Sequence, residues 1–522
     1  MPLAPYMGTF GKPELLHLLR RSLFGVKKSD IIYFSGQTLS QVVTALLTPS
    51  ATMPAPPVND YNIPTYTDPN IPWGTTWVNG PREPNILVDR SHSLRAWWIG
   101  VMVNQDRTIV EKMVMCWHNH VPTDIEATVE EPIYSYRYNV LLRQQALGNF
   151  KTMMRQMSIE PAMLFYLDGY LNTKTAPNDN YGRELQELFT IGKDANPTYT
   201  EGDVQAAAAV LTGWTLDNPN LMAKFDVAKH VTTDKTFSSF YNNTVIIGRS
   251  DANAGLTELD ELINMIFAKD EVAKYVVRKI YRFFVSPTID ATVEANVIVP
   301  LANTFRSGNY DIKPVMQELL MSAHFFDKTT VVGALIKNPL DYIVGLARLF
   351  DVATTTNFDF PALNKLWLFF HNNANFQQMR PGNPPTVSGW AAYYQAPSYH
   401  DLWINADTLR RKKEFSDRLI SSNYFNITFD IFGFTAALNQ PTNPNAIITE
   451  VLELMHIIPD DALILLQLKN ILLSNQVNDE YWTNTWNNYV NNPTDAAYKN
   501  TVFLRLKPFY LIIVSMAEFH LC

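Results

Sequence analysis

The chain has 522 residues, well past the roughly 250–300 at which one hydrophobic core stops growing, and its 47% apolar against 18% charged residues exclude a disordered chain. A net charge of −8 gives no basic footprint for nucleic acid, and the short basic clusters (Arg20 with Arg21, Lys27 with Lys28, residues 410–413) give none for an anionic membrane surface. No apolar run reaches the ~18 residues of a membrane span and the first residues lack a secretory pattern, so the expected compartment is the cytoplasm, with export by a route that reads another signal left open.

Apolar residues recur mainly at helical spacing. Residues 13–24 predict a first helix, with Leu15, Leu16, Leu18, Leu19 and Leu23 on one broad face and Gly25 placed to cap its end. Residues 38–47 predict a second, stopped by Pro49. Nine prolines between Pro49 and Pro84 then remove donors and block regular helix, which predicts a long loop. Tyr61, Tyr66, Trp73 and Trp77 within it predict a loop packed on the body. Helices are expected at about 91–104, 106–118, 137–157, 160–171 and 178–189. Thr200 and Asp203 have the spacing of a capping box ahead of a helix over 204–211, with Gly213 after it.

The helical period is lost over 215–250, where Phe225, Val227 and residues 245–247 predict short strands. Helices resume from 257 to 285 and on to 350, with Pro339 suited to the first turn of 339–350. Residues 371–404 are rich in Pro, Gly and aromatics and read as irregular, and 405–522 read as helical. The expected fold is therefore mainly α: a multi-helical globular bundle with a small β-rich excursion near 215–250 and long aromatic, Pro-rich loops. It is taken as one unit over 1–522. The subregions are 1–48 (N-terminal helices), 49–90 (Pro-rich loop), 91–214 (helical core with a polar motif), 215–250 (β-like insertion), 251–370 (helical), 371–404 (irregular aromatic loop) and 405–522 (C-terminal helical).

Several motifs resemble those of the bacterial family called domain of unknown function 1800. His17-Leu-Leu-Arg-Arg-Ser-Leu-Phe-Gly25 is similar to its opening "HLLRRAGFG", and Trp117-His-Asn-His120 to its "WxNHF". Residues 146–150, 161–168 and 211–214 resemble "ALGNF", "PAMLxYLD" and "LTGW". The longest match, Asn178-Asp-Asn-Tyr-Gly-Arg-Glu-Leu-Gln-Glu-Leu-Phe-Thr-Ile-Gly192, is similar to "NENYARELxELxTLG". Residues 336–339, 383–390 and 517–522 extend the likeness to the end of the chain. The resemblance implies a mainly helical fold and no established activity. Asp179, Gly182 and Phe189 depart from it at positions where members often carry Glu, Ala and His. Val231 replaces the Asp of an "HDxxxK" motif that His230 and Lys235 otherwise match, which weakens any metal site needing those groups.

Three constellations could carry chemistry. His118 and His120 bind one metal only if the backbone there is extended, since on a helix they diverge by ~200°. Val121 and Pro122 follow directly, so an extended pair is allowed; the plainer reading is a helix-end cap and a packing partner for Trp117. Glu184 and Glu187 share one helical face, half of the carboxylate set of helical metal proteins, with Asn178, Asn180, Tyr181 and Arg183 crowded beside them. The plainer reading pairs Arg183 with Glu187, four residues on, at a solvated face. His230, with Asp234 and Lys235, is a candidate base or ligand in a loop setting. Gln395 and Trp390 are candidate pocket lining, and Cys116 and Cys522 are read as reduced thiols, Cys116 as core packing. Phosphate-binding glycine loops, a nucleophile elbow and Cys-x-x-Cys pairs are absent from the sequence.

Two functions fit. One is a metal-dependent, hydrolase-like enzyme in which His118, His120, Glu184 and Glu187 hold a divalent ion. Glu184, Glu187 and His230 would serve its chemistry, and Asn178, Asn180, Tyr181, Arg183 and Lys235 would bind substrate. The other is a non-catalytic helical binding or scaffold protein whose loops at 49–84 and 371–404 take a small molecule, peptide or glycan.

Overall fold

Proline is free of penalty in a helix's first turn, and Pro13 opens the helix Lys12–Ser22, where the Glu14 carboxylate accepts the Gly11 N–H at 3.1 Å. A computed structural model describes residues 3–63, 66–125, 131–193, 198–217, 220–352, 360–390, 400–421, 428–457 and 461–522. The apolar face of this first helix is buried, and the chain then turns at Gly25 with φ +75°. A Cβ at Gly25 would lie 2.4 Å from Gly345 Cα, so two glycines set the close crossing with the helix Pro339–Leu349.

The Pro-rich segment lies on the body as a strap. Asn59 N–H donates to the Thr75 carbonyl and Gly74 N–H to the Asn59 carbonyl, both at 2.8 Å, which folds the strap back on itself. Asp68 accepts the N–H groups of Asn70 (2.9 Å) and Ile71 (3.0 Å) and pairs with the fully buried Arg90 at 3.0 Å. Arg90 belongs to the helix Leu87–Val103, along which the helix Phe360–Phe376 packs. Trp77 donates to Ser93 Oγ at 3.2 Å and Trp97 to the Ala55 carbonyl at 2.6 Å, so indoles tie strap to helix.

The molecule is mainly helical, as expected, with two small antiparallel sheets among the described residues. The excursion after 214 is the expected β region: Trp214–Asp217 pairs with Met222–Phe225, and Lys235–Thr236 with Val245–Ile246. The capping box forms, with Thr200 N–H donating to Asp203 at 2.7 Å and Asp203 N–H to Thr200 Oγ1 at 3.3 Å, and it opens the helix Glu201–Val210. The other Asp203 oxygen accepts the Ser238 N–H at 2.6 Å, docking the β excursion on that helix. At the far end, Ala406–Ser421, Ala462–Leu473 and Glu480–Asn491 pack around the long helix Ala496–Ser515. Among the described residues no helix is long and apolar enough to cross a membrane, and Cys116 and Cys522 are free and buried.

Three local expectations are corrected. The helix Val110–His120 runs two residues past its expected end, because Pro122 acts only on the turn beyond Val121; His118 and His120 are therefore helical, not extended. The helix expected over 178–189 is α only over Asn180–Glu184 and widens to a π-turn over Leu185–Thr190. There the N–H groups of Ile191 and Gly192 both reach the Gln186 carbonyl, at 3.0 and 3.1 Å. The irregular segment starts later than 371, since Phe360–Phe376 remains helical.

Candidate functional site

Helical geometry sends His118 and His120 to different neighbours. His118 Nε2 accepts the Gly382 N–H at 3.1 Å, so Nδ1 carries the proton and donates to the Tyr138 hydroxyl at 2.9 Å. Tyr138 passes its own proton to the Val121 carbonyl at 2.8 Å, closing the chain of bonds. Both ring nitrogens are thus committed, and the ring sits between Trp98 and Trp390. His120 donates from Nε2 to the Phe189 carbonyl at 2.9 Å; its Nδ1, among Trp117, Phe150 and Tyr275, is buried without a partner. Burial holds both imidazoles at about 3, far below the usual range, with nearby Lys279 adding to the effect at His120.

His120 therefore does meet the polar motif, through Phe189 of the π-turn, but not its carboxylates. Glu184 is half-buried, with Oε2 lacking a partner; burial first, and the Glu187 charge second, lift its pKa to about 7. Glu187 pairs with Lys193. Arg183 does not pair with Glu187: the π-turn between them breaks the four-residue spacing, and Arg183 bonds Asp179 and Glu201 instead, each at 2.7 Å. Asn178 accepts the Asn180 N–H at 3.0 Å and so shapes the turn into this helix. Tyr181 is buried with its hydroxyl 2.9 Å from Ser158 Oγ. Gln186, not singled out by sequence, accepts from the Tyr241 hydroxyl at 2.6 Å and donates to the Gly182 carbonyl at 3.0 Å.

His230 and Lys235 do come together, on a residue that sequence reasoning missed. Glu258, fully buried, lies 3.2 Å from His230 Nε2, receives the Lys235 ammonium, and accepts the Arg249 N–H at 2.8 Å. His230 Nδ1 donates to the Thr212 carbonyl at 2.9 Å. Burial alone would raise the Glu258 pKa; His230 and Lys235 overcome it and hold the carboxyl below its usual value. This arrangement ties the β excursion to the helix Ala254–Phe267. Among the described residues no three His, Cys, Asp or Glu side chains are grouped to hold a metal ion, so the expected set His118, His120, Glu184 and Glu187 does not assemble. Gln395 lies outside the described residues, and Trp390 is buried against His118.

A cavity of about 520 Å³ lies under the Pro-rich strap instead. Its roof is residues 49–60, and its walls come from the helices Leu87–Val103 and Phe360–Phe376, with Trp97, Trp367, Met53 and Leu363 as apolar lining. Gly100 matters here: a Cβ would lie 2.9 Å from Trp367 Nε1, so glycine lets that indole form the wall. At one side Arg143 grips Glu111 through two bonds of 2.8 and 2.9 Å and lies over the Trp97 ring at 5.3 Å. That pair is internally neutral. Asp60 is held through one oxygen by Asn364, its other oxygen is buried without a partner, and burial raises its pKa. Both polar atoms of the Gln105 amide are likewise buried and unpartnered. The strap and its tryptophans were legible as a packed loop, but Asp60, Gln105 and Arg143 are single polar residues with no spacing to mark them.

Fold and cavity define a multi-helical protein with a polar-edged, ligand-sized pocket between the strap and the helices beneath it. The family described as Protein of unknown function (DUF1800) matches residues 17–520, and the chain belongs to it. No curated protein and no solved structure matches the chain.

Proposed function

We propose that this is a non-catalytic binding protein that takes a neutral glycan unit, one or two sugar rings, in the cavity under the Pro-rich strap. The observation that carries the reading is the set of unpartnered polar atoms at a cavity edge: the free Asp60 oxygen and both ends of the Gln105 amide. A buried amide left unsatisfied costs about 1–3 kcal/mol, and a ligand presenting both donors and acceptors removes that cost. Vicinal hydroxyls do so, and the indoles of Trp97 and Trp367 supply apolar wall for the C–H groups of a sugar ring. The volume is within the roughly 300–1,000 Å³ of small-molecule sites. Because Glu111 occupies Arg143 and the other lining side chains that ionise, Asp60 and Asp106, are acids, a neutral ligand is favoured over an anionic one.

The test is a thermal-shift and calorimetric panel of neutral mono- and oligosaccharides alongside short peptides, on the wild type and Gln105→Leu. Saturable sugar binding that is lost in Gln105→Leu supports the reading. Binding of peptides alone, or sugar binding unchanged in the variant, removes it.

A second reading, acid–base catalysis by Glu184, is favoured by one observation: a half-buried carboxyl whose pKa near 7 suits proton transfer at neutral pH. Its metal-dependent form has less support, since His118 spends both nitrogens on Gly382 and Tyr138. If Glu184→Gln left folding intact but abolished turnover of a substrate found by screening, this reading would displace the first.

A further inference from the structure

The Gly25–Gly345 crossing brings basic side chains together in the interior. Arg20 and Arg21 come from the helix Lys12–Ser22, Lys112 from Val110–His120, Lys412 from Ala406–Ser421, and Lys337 from the stretch just before Pro339. Residues 335–337 pair with the end of the chain, Lys337 N–H to the His520 carbonyl at 2.7 Å and Cys522 N–H to the Leu335 carbonyl at 2.8 Å. Two small cavities of about 40 and 20 Å³ lie here, and Arg20, Asp341 and Cys522 line both.

The charges do not balance. Asp341 takes Lys112 and is fixed by Asn338 at 2.8 Å. Among the described residues Arg20 reaches the carbonyls of Glu453 and His456, at 2.7 and 2.8 Å, and no carboxylate. Lys412 donates to the Lys337 carbonyl at 3.0 Å, and Lys337 donates to the Phe519 carbonyl and sits over the Phe519 ring. Arg21 is 2% exposed; it donates from Nη2 to the Val331 carbonyl at 2.8 Å, while Nε and Nη1 have no partner and the side chain lines the smaller cavity. These five cations thus face the Asp341 carboxylate, which Lys112 already occupies. Arg282 and His400 also line the smaller cavity, and His400 pairs with Asp401 at 3.0 Å. Buried charges need a counter-charge.

We propose that these cavities bind a small inorganic anion, of the class of chloride or orthophosphate, which accepts the free N–H groups of Arg21. A guanidinium with two unused donors is suited to such an acceptor. A water needs roughly 10–15 Å³, so the space of about 20 Å³ beside Arg21 suits one small anion and excludes an organic one. Burial lowers Lys337 and Lys412 to about 7 and Arg20 to about 10, which is what cations lacking enough counter-charge should show and what a bound anion would reverse.

The full chain, purified in HEPES–gluconate free of chloride and phosphate, is titrated with sodium chloride or sodium phosphate at ionic strength matched by sodium gluconate, and its melting temperature is followed. A rise that sets in near Kd and then grows by about 1 °C per tenfold in anion concentration is expected with one anion or both, and the stronger arm identifies the resident. Arg21→Met should abolish the rise and melt higher than the wild type in gluconate, because an uncompensated buried charge is gone. Lys412→Met, which leaves Arg21 in place, should weaken the rise and serves alone if Arg21→Met does not fold. No anion-specific rise in the wild type, or an equal rise in the foldable variant or variants, overturns the proposal.

Discussion

Asp68→Asn is the sharpest perturbation of the strap that roofs the cavity. In the wild type both partners of the Asp68–Arg90 pair have fully buried side chains, and the carboxylate also holds Asn70, Ile71 and the Tyr61 hydroxyl, the last at 2.8 Å. The amide keeps the shape but leaves the Arg90 guanidinium buried without a counter-charge. Breaking one side of a buried pair costs about 3–5 kcal/mol. At roughly 2.1 cal/mol/K per residue a chain of this length melts about 1 °C lower per kcal/mol if it unfolds as one unit, so a fall of about 3–5 °C is expected. The pH dependence has a definite sign. Burial alone would raise Asp68, but the Asn70 N–H, then Tyr61 and Arg90, hold its pKa below the ordinary value. A depressed carboxyl contributes stability that is complete above the unfolded value and is lost as pH falls through the folded one. The wild type should therefore lose this contribution below about pH 4, and the variant should lack it throughout. Differential scanning calorimetry at pH 7 and from pH 4 down to pH 2, with limited proteolysis of 49–84, reads both effects. A variant that melts within 1 °C of the wild type at pH 7, with an equally resistant strap, refutes the reasoning.

Two further outcomes follow from the other polar clusters. Glu258→Gln leaves Lys235 and His230 buried beside a neutral amide and should destabilise by about 3–5 kcal/mol, while the double variant with Lys235→Met recovers part of the loss; additive losses in a denaturant-based cycle would contradict the coupling. For Glu184 the sign is opposite to that of Asp68. A carboxyl raised to about 7 contributes stability that is complete below its unfolded value and lost as pH rises through 7, so Glu184→Gln should gain on the wild type between pH 5 and pH 8. Melting curves that stay parallel across that range would show that Glu184 ionises freely.

Local signals were legible where one residue's chemistry settles the outcome. The Thr200–Asp203 box and the proline before residue 340 act through neighbours in the chain, and each is found where the sequence puts it, whereas the first helix ends at Ser22 with Leu23 as its cap and Gly25 turns the chain beyond it. The loss of helical period over 215–250 marked the β excursion for the same reason. The candidate site was legible only in part, because its partners are remote. His118 is claimed by Gly382 and Tyr138, and His230 with Lys235 by Glu258, none of which bears a recognisable spacing to the histidine it meets. The π-turn after Glu184 was hidden because one added residue per turn leaves the apolar pattern of Leu185, Leu188 and Phe189 almost unchanged while re-aiming the acids. Asp60 and Gln105 become notable only once the strap has folded over them and removed their water.

Equilibrium binding of neutral oligosaccharides to the wild type and to Gln105→Leu, by titration calorimetry, tests the cavity most directly. Removing the orphaned amide should weaken the sugar by about tenfold or more and at the same time raise the melting temperature of the unliganded protein. Equal affinity in the two proteins, or no binding of any sugar by the wild type, contradicts the assignment of the cavity.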